Sequence, residues 1–431
     1  MSEPLFTFIG AGQRNVVLQV SDASKVLDSP PEELKTNCAL RISNVPPCEC
    51  ENCYKALKPF CGMRESVPLP EALFNEAKSV VPEKFHRLID GATVATVVPN
   101  FSADPGRILA DPARQRSVTE EERKGDYTIE IKPKSIWQRP VVVGIIVDGG
   151  EPIYIHPAKL SHCRYSQMLY YKAERDNDES LAQDVASSYC PNFFYSKDLS
   201  SLEGFERLKQ KAINNLKVIS CHPSFKEKAA GGKVPPADVI ADADLKGIAD
   251  ALDFSEIFQS VGALQLYGTY AEDYSKVTPV LDIELLYPWT QAKDKESVQW
   301  LVLPADADLP CACTSEGYTP KTELLQQAVA QKPDITLETA IERFYCSVTA
   351  KDISLLLSRY CLRLVDPKNG VSVERIKDVL PSLGGVFVRE GEDLFRVAAV
   401  DIDEKTNKTL DHYYEYDAKI VKAFENGVKK Q

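Results

Sequence analysis

Short apolar stretches broken by turn-forming residues characterise the first hundred residues of the chain. LFTFIGAG, NVVLQVS and CALRISN each combine apolar and β-branched residues over a length that fits a strand. Further on, PVVVGIIV (Pro140 to Val147) is the longest apolar run. It is too short to cross a membrane and is typical of a buried strand. The N-terminal part is therefore predicted to be rich in strands.

Helical periodicity marks several other segments of the chain. Ser200 and Glu203 form a capping box at the start of one predicted helix. The other helices are predicted around Glu71 to Ile89, over about His162 to Asp176, over about Leu337 to Ala350 and near Tyr413 to Phe424. The third of these runs directly into the strand ISLLLSRYCLRLV, and the strand LFRVAAVDID precedes the last. The whole pattern predicts an α/β (α+β) protein.

The stretch YTIEIKPKSIW (Tyr127 to Trp137) has an unusual pattern for a strand. Side chains two residues apart share a face, so Glu130, Lys132 and Lys134 are predicted to point the same way. One interpretation is a solvated edge strand, because lysine and proline discourage pairing at a sheet edge. The alternative is that the two lysines serve an anionic ligand.

The net charge of the chain limits the classes of ligand that it could bind. The chain has 63 acidic and 51 basic residues, which gives a net charge of −12. This balance argues against sequence-independent binding of nucleic acid, which needs a basic surface. One concentrated cationic pocket in an acidic body suits a small polyanion better than a long one.

The cellular context follows from the cysteines and the N-terminus. The opening MSEPLFTFIGAG lacks a basic segment followed by a long apolar core, so we expect no secretory signal and no membrane segment. Twelve cysteines without a signal favour a reducing compartment and free thiols. We therefore expect an intracellular protein, cytoplasmic and/or nuclear, with a monomer favoured.

Two short motifs have residues suited to phosphate and metal chemistry. In GAGQRNVVL, Gly10 and Gly12 are predicted to lie in a turn between strands, where backbone N–H groups can approach a phosphate. In VAAVDIDEK, Asp401 and Asp403 share a face at the end of an apolar strand, a common position for Mg²⁺ ligands. A plain hairpin and an acidic turn are the structural alternatives.

Two further motifs place charge at revealing positions. Asp352 in TAKDISLLL falls at a helix-to-strand junction, where a negative charge opposes the helix dipole and needs compensation by a cation. Arg164 and Lys172 are eight residues apart, about two helical turns, so both can face one side of a helix. Together the four motifs supply the parts that phosphoryl transfer needs: a phosphate cradle, cations, a metal-holding carboxylate and a base.

These motifs resemble those of the inositol-pentakisphosphate 2-kinase family. GAGQRNVVL, LRI, EIKPK, RYSQMLYYK, TAKD and DIDEK…YYEYDAKIV occur in the family's order from Gly10 to Val421. The resemblance implies a two-lobed fold, with a nucleotide-binding N-lobe over residues 1–134 and an inositol phosphate-binding, catalytic C-lobe over residues 135–431. It also implies transfer of the γ-phosphate of ATP to the 2-hydroxyl of inositol 1,3,4,5,6-pentakisphosphate, which gives the hexakisphosphate (phytate).

The resemblance also implies a role for each motif residue. The ATP contacts would be Gly10, Gly12, Asn15 and Arg41, with Lys132 reaching the phosphates. Asp352 would be the catalytic base, and Asp401 would hold Mg²⁺. The inositol phosphates would be bound by Lys134, Lys172, Lys405 and Lys408. Partners other than ATP and the inositol phosphate are not implied.

Some positions depart from the family's pattern, and other functions stay open. Ser135, Ile136 and Trp137 replace the usual glycine and phenylalanine after EIKPK, and Thr406 and Thr409 replace a proline and a basic residue. A kinase for a different inositol phosphate therefore remains an alternative. A second alternative is a catalytically silent inositol polyphosphate sensor that keeps the lysines without productive geometry.

The cysteines allow a third interpretation. Cys48, Cys50, Cys53 and Cys61 fall within one short stretch, CECENCYKALKPFC, which is predicted to be a loop. Four thiolates could bind zinc and stabilise an interaction protein, but the spacing is not a standard zinc framework and free loop thiols are favoured. The five histidines show no ligand spacing.

Overall fold

The fold is described from a computed structural model. The described residues are 4–11, 15–31, 34, 38–45, 50–101, 125–137, 140–178, 189–196, 200–212, 215–228, 234–304, 322–361, 374–376, 384–390, 393–405 and 408–429. Helices and antiparallel sheets alternate along the chain, which confirms the predicted α/β class. Among these residues, no helix is both long enough and apolar enough to cross a membrane.

The strands form three antiparallel sheets. Their bounds are β1 (Phe6–Ala11), β2 (Val16–Val20), β3 (Cys38–Ile42), β4 (Glu65–Pro68), β5 (Val94–Pro99), β6 (Tyr127–Ile131), β7 (Val142–Ile146), β8 (Ile153–Tyr154), β9 (Leu216–Cys221), β10 (Gln299–Val302), β11 (Val329–Gln331), β12 (Ser354–Cys361), β13 (Glu374–Ile376), β14 (Val386–Glu390) and β15 (Asp393–Val400). The strand orders are β1-β2-β3-β5-β4, β11-β10-β7-β8 and β13-β14-β15-β12-β6-β9. The strand-rich N-terminal part is thus confirmed as one five-stranded sheet.

The helices pack on these sheets. Their bounds are α1 (Glu51–Cys61), α2 (Glu71–Ser79), α3 (Arg164–Asp176), α4 (Asn192–Tyr195), α5 (Ser201–Gln210), α6 (Pro223–Lys228), α7 (Pro236–Val239), α8 (Asp244–Ser255), α9 (Ile257–Tyr267), α10 (Ile283–Gln291), α11 (Thr322–Leu325), α12 (Leu337–Asp352) and α13 (Leu410–Val428). Ser200 caps α5 by accepting from the Glu203 backbone N–H, so the predicted helix start is confirmed.

The three largest hydrophobic cores among the described residues correspond to the three sheets. Leu18, Leu40 and Val97 are fully buried in the core of the five-stranded sheet. Ile129, Leu355 and Val397 lie in the core of the six-stranded sheet, on which α1 and α8 pack. α9 belongs to the same core and packs on α1 and α12. The third core joins β7 and β10 to α10 and α12. The long helix α12 therefore contributes to two cores, and its C-terminal end is held from both sides.

Several predicted elements differ in the structure. The strand predicted over Tyr127 to Trp137 ends at Ile131. β6 pairs with β9 on one side and β12 on the other, so the interpretation as an edge strand is wrong. β6 thus belongs to the six-stranded sheet, although its residues precede the predicted lobe boundary at residue 134.

Turn and loop predictions also need correction. Gly10 lies within β1, beside an irregularity in the register, and is not in the turn. Gly12 lies outside the described residues. The cysteine-rich stretch forms α1 from Glu51 and is not a loop. The helix predicted over Glu71 to Ile89 divides into α2 and a short 3-10 helix (Glu83–Leu88), because Pro82 interrupts the backbone hydrogen bonding.

Candidate active site

Three neighbouring interior strands of the six-stranded sheet end on the same side, and the predicted catalytic residues lie at these strand ends. Ile131 of β6 pairs with Leu355 of β12, and Ser354 of β12 pairs with Val400 of β15. The next residues along these strands are Lys132, Ile353 and Asp401, with Asp352 directly before Ile353. Because adjacent strands lie about 4.8 Å apart, the register puts Lys132 and Asp401 on either side of Asp352.

Asp352 is the last residue of α12, and β12 begins two residues later, which confirms the predicted helix-to-strand junction. Its carboxylate is exposed and lines a cavity of about 390 Å³. A negative charge at a helix C-terminus is unfavourable without a cation nearby. Lys134 supplies that cation, and its ammonium group interacts electrostatically with Asp352.

Lys134 occupies a short segment whose backbone is fixed by distant side chains. Its φ of 67° lies in the left-handed region, which is uncommon for a residue with a Cβ atom. Gln265 Nε2 donates to the Lys134 carbonyl oxygen at 3.0 Å, and Tyr195 Oη donates to the same oxygen at 3.3 Å. Gln265 Oε1 in turn accepts from the Ile136 backbone N–H at 2.8 Å.

Gln265 also connects this segment to the helix that ends at Asp352. Its Nε2 lies 3.2 Å from the Ala350 carbonyl oxygen. The backbone carbonyl oxygen of Gln265 accepts from Ser347 Oγ at 2.6 Å. The side chain is buried, with 1% of its surface exposed. One amide thus sets the position of Lys134 relative to Asp352.

Basic side chains dominate the charged lining of the cavity. Lys134, Lys159, Arg164, Lys172 and Lys351 all contribute to it, and Arg164 and Lys172 share one side of α3 as predicted. Trp137, Tyr413 and Tyr416 add aromatic surface. The cavity is therefore a concentrated cationic pocket in a protein of net charge −12.

Two of these cations are matched by acidic side chains. Lys159 Nζ lies 2.7 Å from both Asp282 Oδ1 and Asp417 Oδ2, and Arg164 Nη2 lies 2.8 Å from Asp417 Oδ1. Burial alone would lower the pKa of Lys159, but Asp282 and Asp417 outweigh it and raise that pKa. Asp282 and Asp417 neutralise these two cations. The buried network therefore stabilises the cavity wall and contributes little net charge to ligand binding.

The other three lysines are different. Burial lowers the pKa of Lys134 and of Lys172, and it lowers the pKa of Lys351 to about 8. Within the described ranges the structure records no ion pair for any of the three. Desolvated cations without a close ion-pair partner favour a ligand that brings its own negative charge. A bound anion would raise the pKa values of these lysines, because a nearby negative charge favours the charged ammonium form.

The acidic turn after β15 faces the five-stranded sheet. Asp401 has a φ of 64°, and Lys405 Nζ lies 3.3 Å from its Oδ1. Asp403 forms a two-point ion pair with Arg41 of β3, in which Arg41 Nη1 donates to Asp403 Oδ1 at 2.9 Å. Arg64 Nη2 lies 3.7 Å from the same Oδ1. Burial would raise the pKa of Asp403, but the hydrogen bonds from Arg41 outweigh it and lower that pKa.

The predicted nucleotide contacts lie along this junction. With its amide oxygen turned towards the neighbouring donors, Asn15 accepts from Arg41 Nη2 at 2.6 Å and from Nε at 3.0 Å. A Cβ added to Gly10 would meet no heavy atom within 4 Å, so the strand faces open space there. Lys132 Nζ lies 3.8 Å from Glu130 Oε1, and its backbone N–H donates to the Asn215 carbonyl.

The structure therefore brings the predicted site residues into two groups. Asp352, Lys134 and Lys172 line the cavity, whereas Lys132, Asp401 and Lys405 are not among its lining residues. Lys408 is exposed just before α13 and is also outside the lining. The sheet register connects the groups, because Asp352 belongs to the cavity and is flanked by Lys132 and Asp401.

Sequence reasoning missed Gln265, Lys351 and Trp137. Lys351 stands beside Asp352 within TAKD, so its motif was a usable signal, but its cavity position depends on where α12 ends. Gln265 lies in an apolar helix without a motif. The departures from the family pattern have structural roles: Ser135, Ile136 and Trp137 line the cavity, and Thr409 is the N-cap of α13.

Comparison with known families agrees with this geometry. No curated protein matches the chain significantly. The family model described as inositol-pentakisphosphate 2-kinase matches residues 8–419. The match includes the strand-end residues and the basic residues of the cavity, and it covers nearly the whole chain. The chain therefore belongs to the inositol-pentakisphosphate 2-kinase family, a family of phosphotransferases.

Proposed function

We propose that this enzyme uses ATP and Mg²⁺ to phosphorylate the 2-hydroxyl of inositol 1,3,4,5,6-pentakisphosphate, giving the hexakisphosphate. The observation that carries the proposal is the cavity in which Asp352 lies among Lys134, Lys172 and Lys351. A base beside several cations that lack ion-pair partners in the described part of the chain suits an alcohol surrounded by phosphates. The family membership supports the same reaction.

Asp352 is the proposed general base. Its exposed carboxylate stands at the cavity wall, where it can accept the proton of an inositol hydroxyl as that oxygen attacks the γ-phosphorus. The ammonium group of Lys134 interacts electrostatically with this carboxylate, so a cation accompanies the proposed base. Positioning the alcohol next to this group supplies much of the catalysis expected of phosphoryl transfer.

The cations divide between the two proposed ligands. Lys134 and Lys172, with Lys351, bind the inositol phosphates from inside the cavity, and Lys405 and Lys408 approach the same ligand from the strand-end side. Lys132 directly follows β6 and lies near Lys134. Its proposed role is to balance the negative charge on the transferring phosphoryl group. This division assigns one lysine of EIKPK to each ligand.

The proposed nucleotide site lies where the five-stranded sheet meets the acidic turn. Gly10, Gly12, Asn15 and Arg41 are the proposed contacts, although Gly12 lies outside the described residues. Arg41 reaches both Asn15 and Asp403, so it links the first strands to the turn that contains Asp401. Asp401 is the proposed ligand of Mg²⁺. This metal prefers oxygen ligands such as carboxylates, and when bound it would neutralise developing phosphate charge.

The test is a kinase assay with ATP, Mg²⁺ and a panel of inositol phosphates, with products resolved by anion chromatography. Wild type is compared with Asp352→Asn and Asp401→Asn, and with the surface variant Asp250→Asn as control. We expect the pentakisphosphate with a free 2-hydroxyl to be converted, and both site variants to lose turnover while the control keeps it.

Other results would redirect the proposal. Turnover of a different inositol phosphate would keep the base and change the substrate. Tight binding of the hexakisphosphate without any turnover would make the protein a sensor. Loss of binding in Lys134→Ala but not in Lys419→Ala, an exposed lysine of α13, would still identify the cavity as the anion site in that case.

A further inference from the structure

Three buried cysteines from two distant segments meet beside the candidate active site. Cys50 precedes α1, Cys53 lies in its first turn, and Cys346 comes from α12. Their exposed fractions are 4%, 0% and 2%, and their sulfur atoms all lie within 4.8 Å of one another. The catalytic proposal uses none of them.

The geometry suits a metal. Cys53 Sγ and Cys346 Sγ are 3.7 Å apart. A tetrahedral zinc site with Zn–S bonds of about 2.3 Å has neighbouring sulfur atoms about 3.8 Å apart. The Cys50–Cys53 spacing leaves two residues between the ligands, as in many zinc-binding turns. Cys50 and Cys53 also lie at the start of α1, and a helix N-terminus favours the thiolate form because it stabilises negative charge.

We propose that Cys50, Cys53 and Cys346 bind one zinc ion, with a water molecule or a further protein ligand in the fourth position. This set differs from the quartet considered from the sequence. Cys61 lies at the far end of α1, eight residues and about 12 Å from Cys53 by helical rise, and Cys48 lies outside the described residues. The third ligand comes from a segment nearly 300 residues away, so the chain spacing did not reveal it.

The ion would join α1 to the helix that presents Asp352. Cys346 precedes Asp352 by six residues on α12. The Cys50 backbone N–H donates to the Ile402 carbonyl at 3.2 Å, which places the start of α1 against the turn between Asp401 and Asp403. A zinc ion here is structural: it fixes α12 and the acidic turn relative to each other and takes no part in phosphoryl transfer.

Metal content of the full chain tests the proposal. Wild type, Cys53→Ser, Cys346→Ser and the control Cys61→Ser are purified without chelators and measured by inductively coupled plasma mass spectrometry. We expect about one zinc ion per chain in wild type and in Cys61→Ser, and loss of zinc in the other two. Retention of zinc in Cys53→Ser and Cys346→Ser would overturn the proposal.

Wild-type protein provides a second measurement that does not depend on folding of the variants. After removal of its metal, the protein is titrated with Co²⁺, and thiolate-to-cobalt charge-transfer bands with tetrahedral d–d bands are expected. Absence of these bands, together with absence of zinc, would overturn the site. So would a Cys53–Cys346 disulfide found by mass spectrometry under native conditions. None of these readouts uses kinase activity, so they are independent of the proposed function.

Discussion

Gln265 donates through Nε2 to the backbone carbonyl of Lys134, at 3.0 Å, and so fixes a lysine of the cavity from inside the protein. The same amide also contacts the Ala350 carbonyl and the Ile136 N–H. The cationic wall and the helix that ends at Asp352 therefore share one buried anchor. Lys134 can hold its left-handed backbone conformation because this anchor and Tyr195 satisfy its carbonyl.

Replacing this anchor tests its role. In Gln265→Leu the backbone groups of Lys134, Ile136 and Ala350 lose a partner, and we expect the free energy of unfolding to fall by about 2–3 kcal/mol. We also expect a higher KM for the inositol phosphate, because Lys134 is no longer fixed. Urea unfolding and steady-state kinetics measure both, with the exposed Gln291→Leu as control. A stable variant with unchanged KM would refute the anchoring role.

The base role of Asp352 predicts a specific kinetic signature. Asp352→Asn keeps the size of the side chain and removes its basicity, so we expect kcat to fall by about 10²–10⁴-fold with little change in KM. Single-turnover phosphate transfer measures this step directly. A fall in affinity with kcat retained would instead show that Asp352 only positions the ligand.

Lys351 predicts coupling between binding and protonation. Its pKa of about 8 in the free protein means that it loses its proton as the pH rises through that value. Bound phosphates favour the charged form, so binding between pH 8 and 9 should take up a proton at this lysine, and affinity should weaken as the pH rises further.

Calorimetry in two buffers of different ionisation enthalpy measures that proton uptake. The phosphates of the ligand can also exchange protons, so the informative quantity is the difference between wild type and Lys351→Met. Burial, Asp282, Arg164, Lys159 and Asp417 set the pKa of Lys351 in the free protein. Equal proton uptake in wild type and Lys351→Met would contradict this prediction.

Arg41 and Asp403 form the ion pair between the five-stranded sheet and the acidic turn. Their side chains are 13% and 16% exposed, so solvent screens the pair less than it screens a surface pair. A double-mutant cycle with Arg41→Met and Asp403→Asn should give a coupling energy of about 1–3 kcal/mol in unfolding measurements. The exposed Lys246–Asp250 pair of α8 is the control, with less than about 0.5 kcal/mol expected. Equal values for both pairs would show that the junction is not held this way.

Trp137 lines the cavity and carries a buried indole N–H group. Its Nε1 is buried and has no hydrogen-bond partner among the described residues, and the side chain lines the cavity. We expect Trp137→Phe to weaken inositol phosphate binding about threefold to tenfold, the value of one hydrogen bond. Trp300 is a matched control, because its Nε1 is also buried without a described partner but lies outside the lining. Equal affinities for the two variants would exclude this donor role.

Local patterns determined much of this protein. The apolar runs defined β7, β12 and β15, the Ser200 capping box set the start of α5, and the junction at Asp352 followed from the change of periodicity. These features depend on neighbours within a few residues. The motif order was likewise sufficient for the family resemblance, which the match over residues 8–419 confirms.

Contacts between distant segments were decided only by the tertiary structure. β6 became an interior strand because β9 and β12, remote in sequence, pair with it. The same register brought Lys132, Asp352 and Asp401 to one sheet edge. Cys346 joined Cys50 and Cys53, and Gln265 reached Lys134, although neither pairing leaves a periodic signal. A sequence records what each residue prefers locally, whereas pairing across hundreds of residues depends on how the cores pack together.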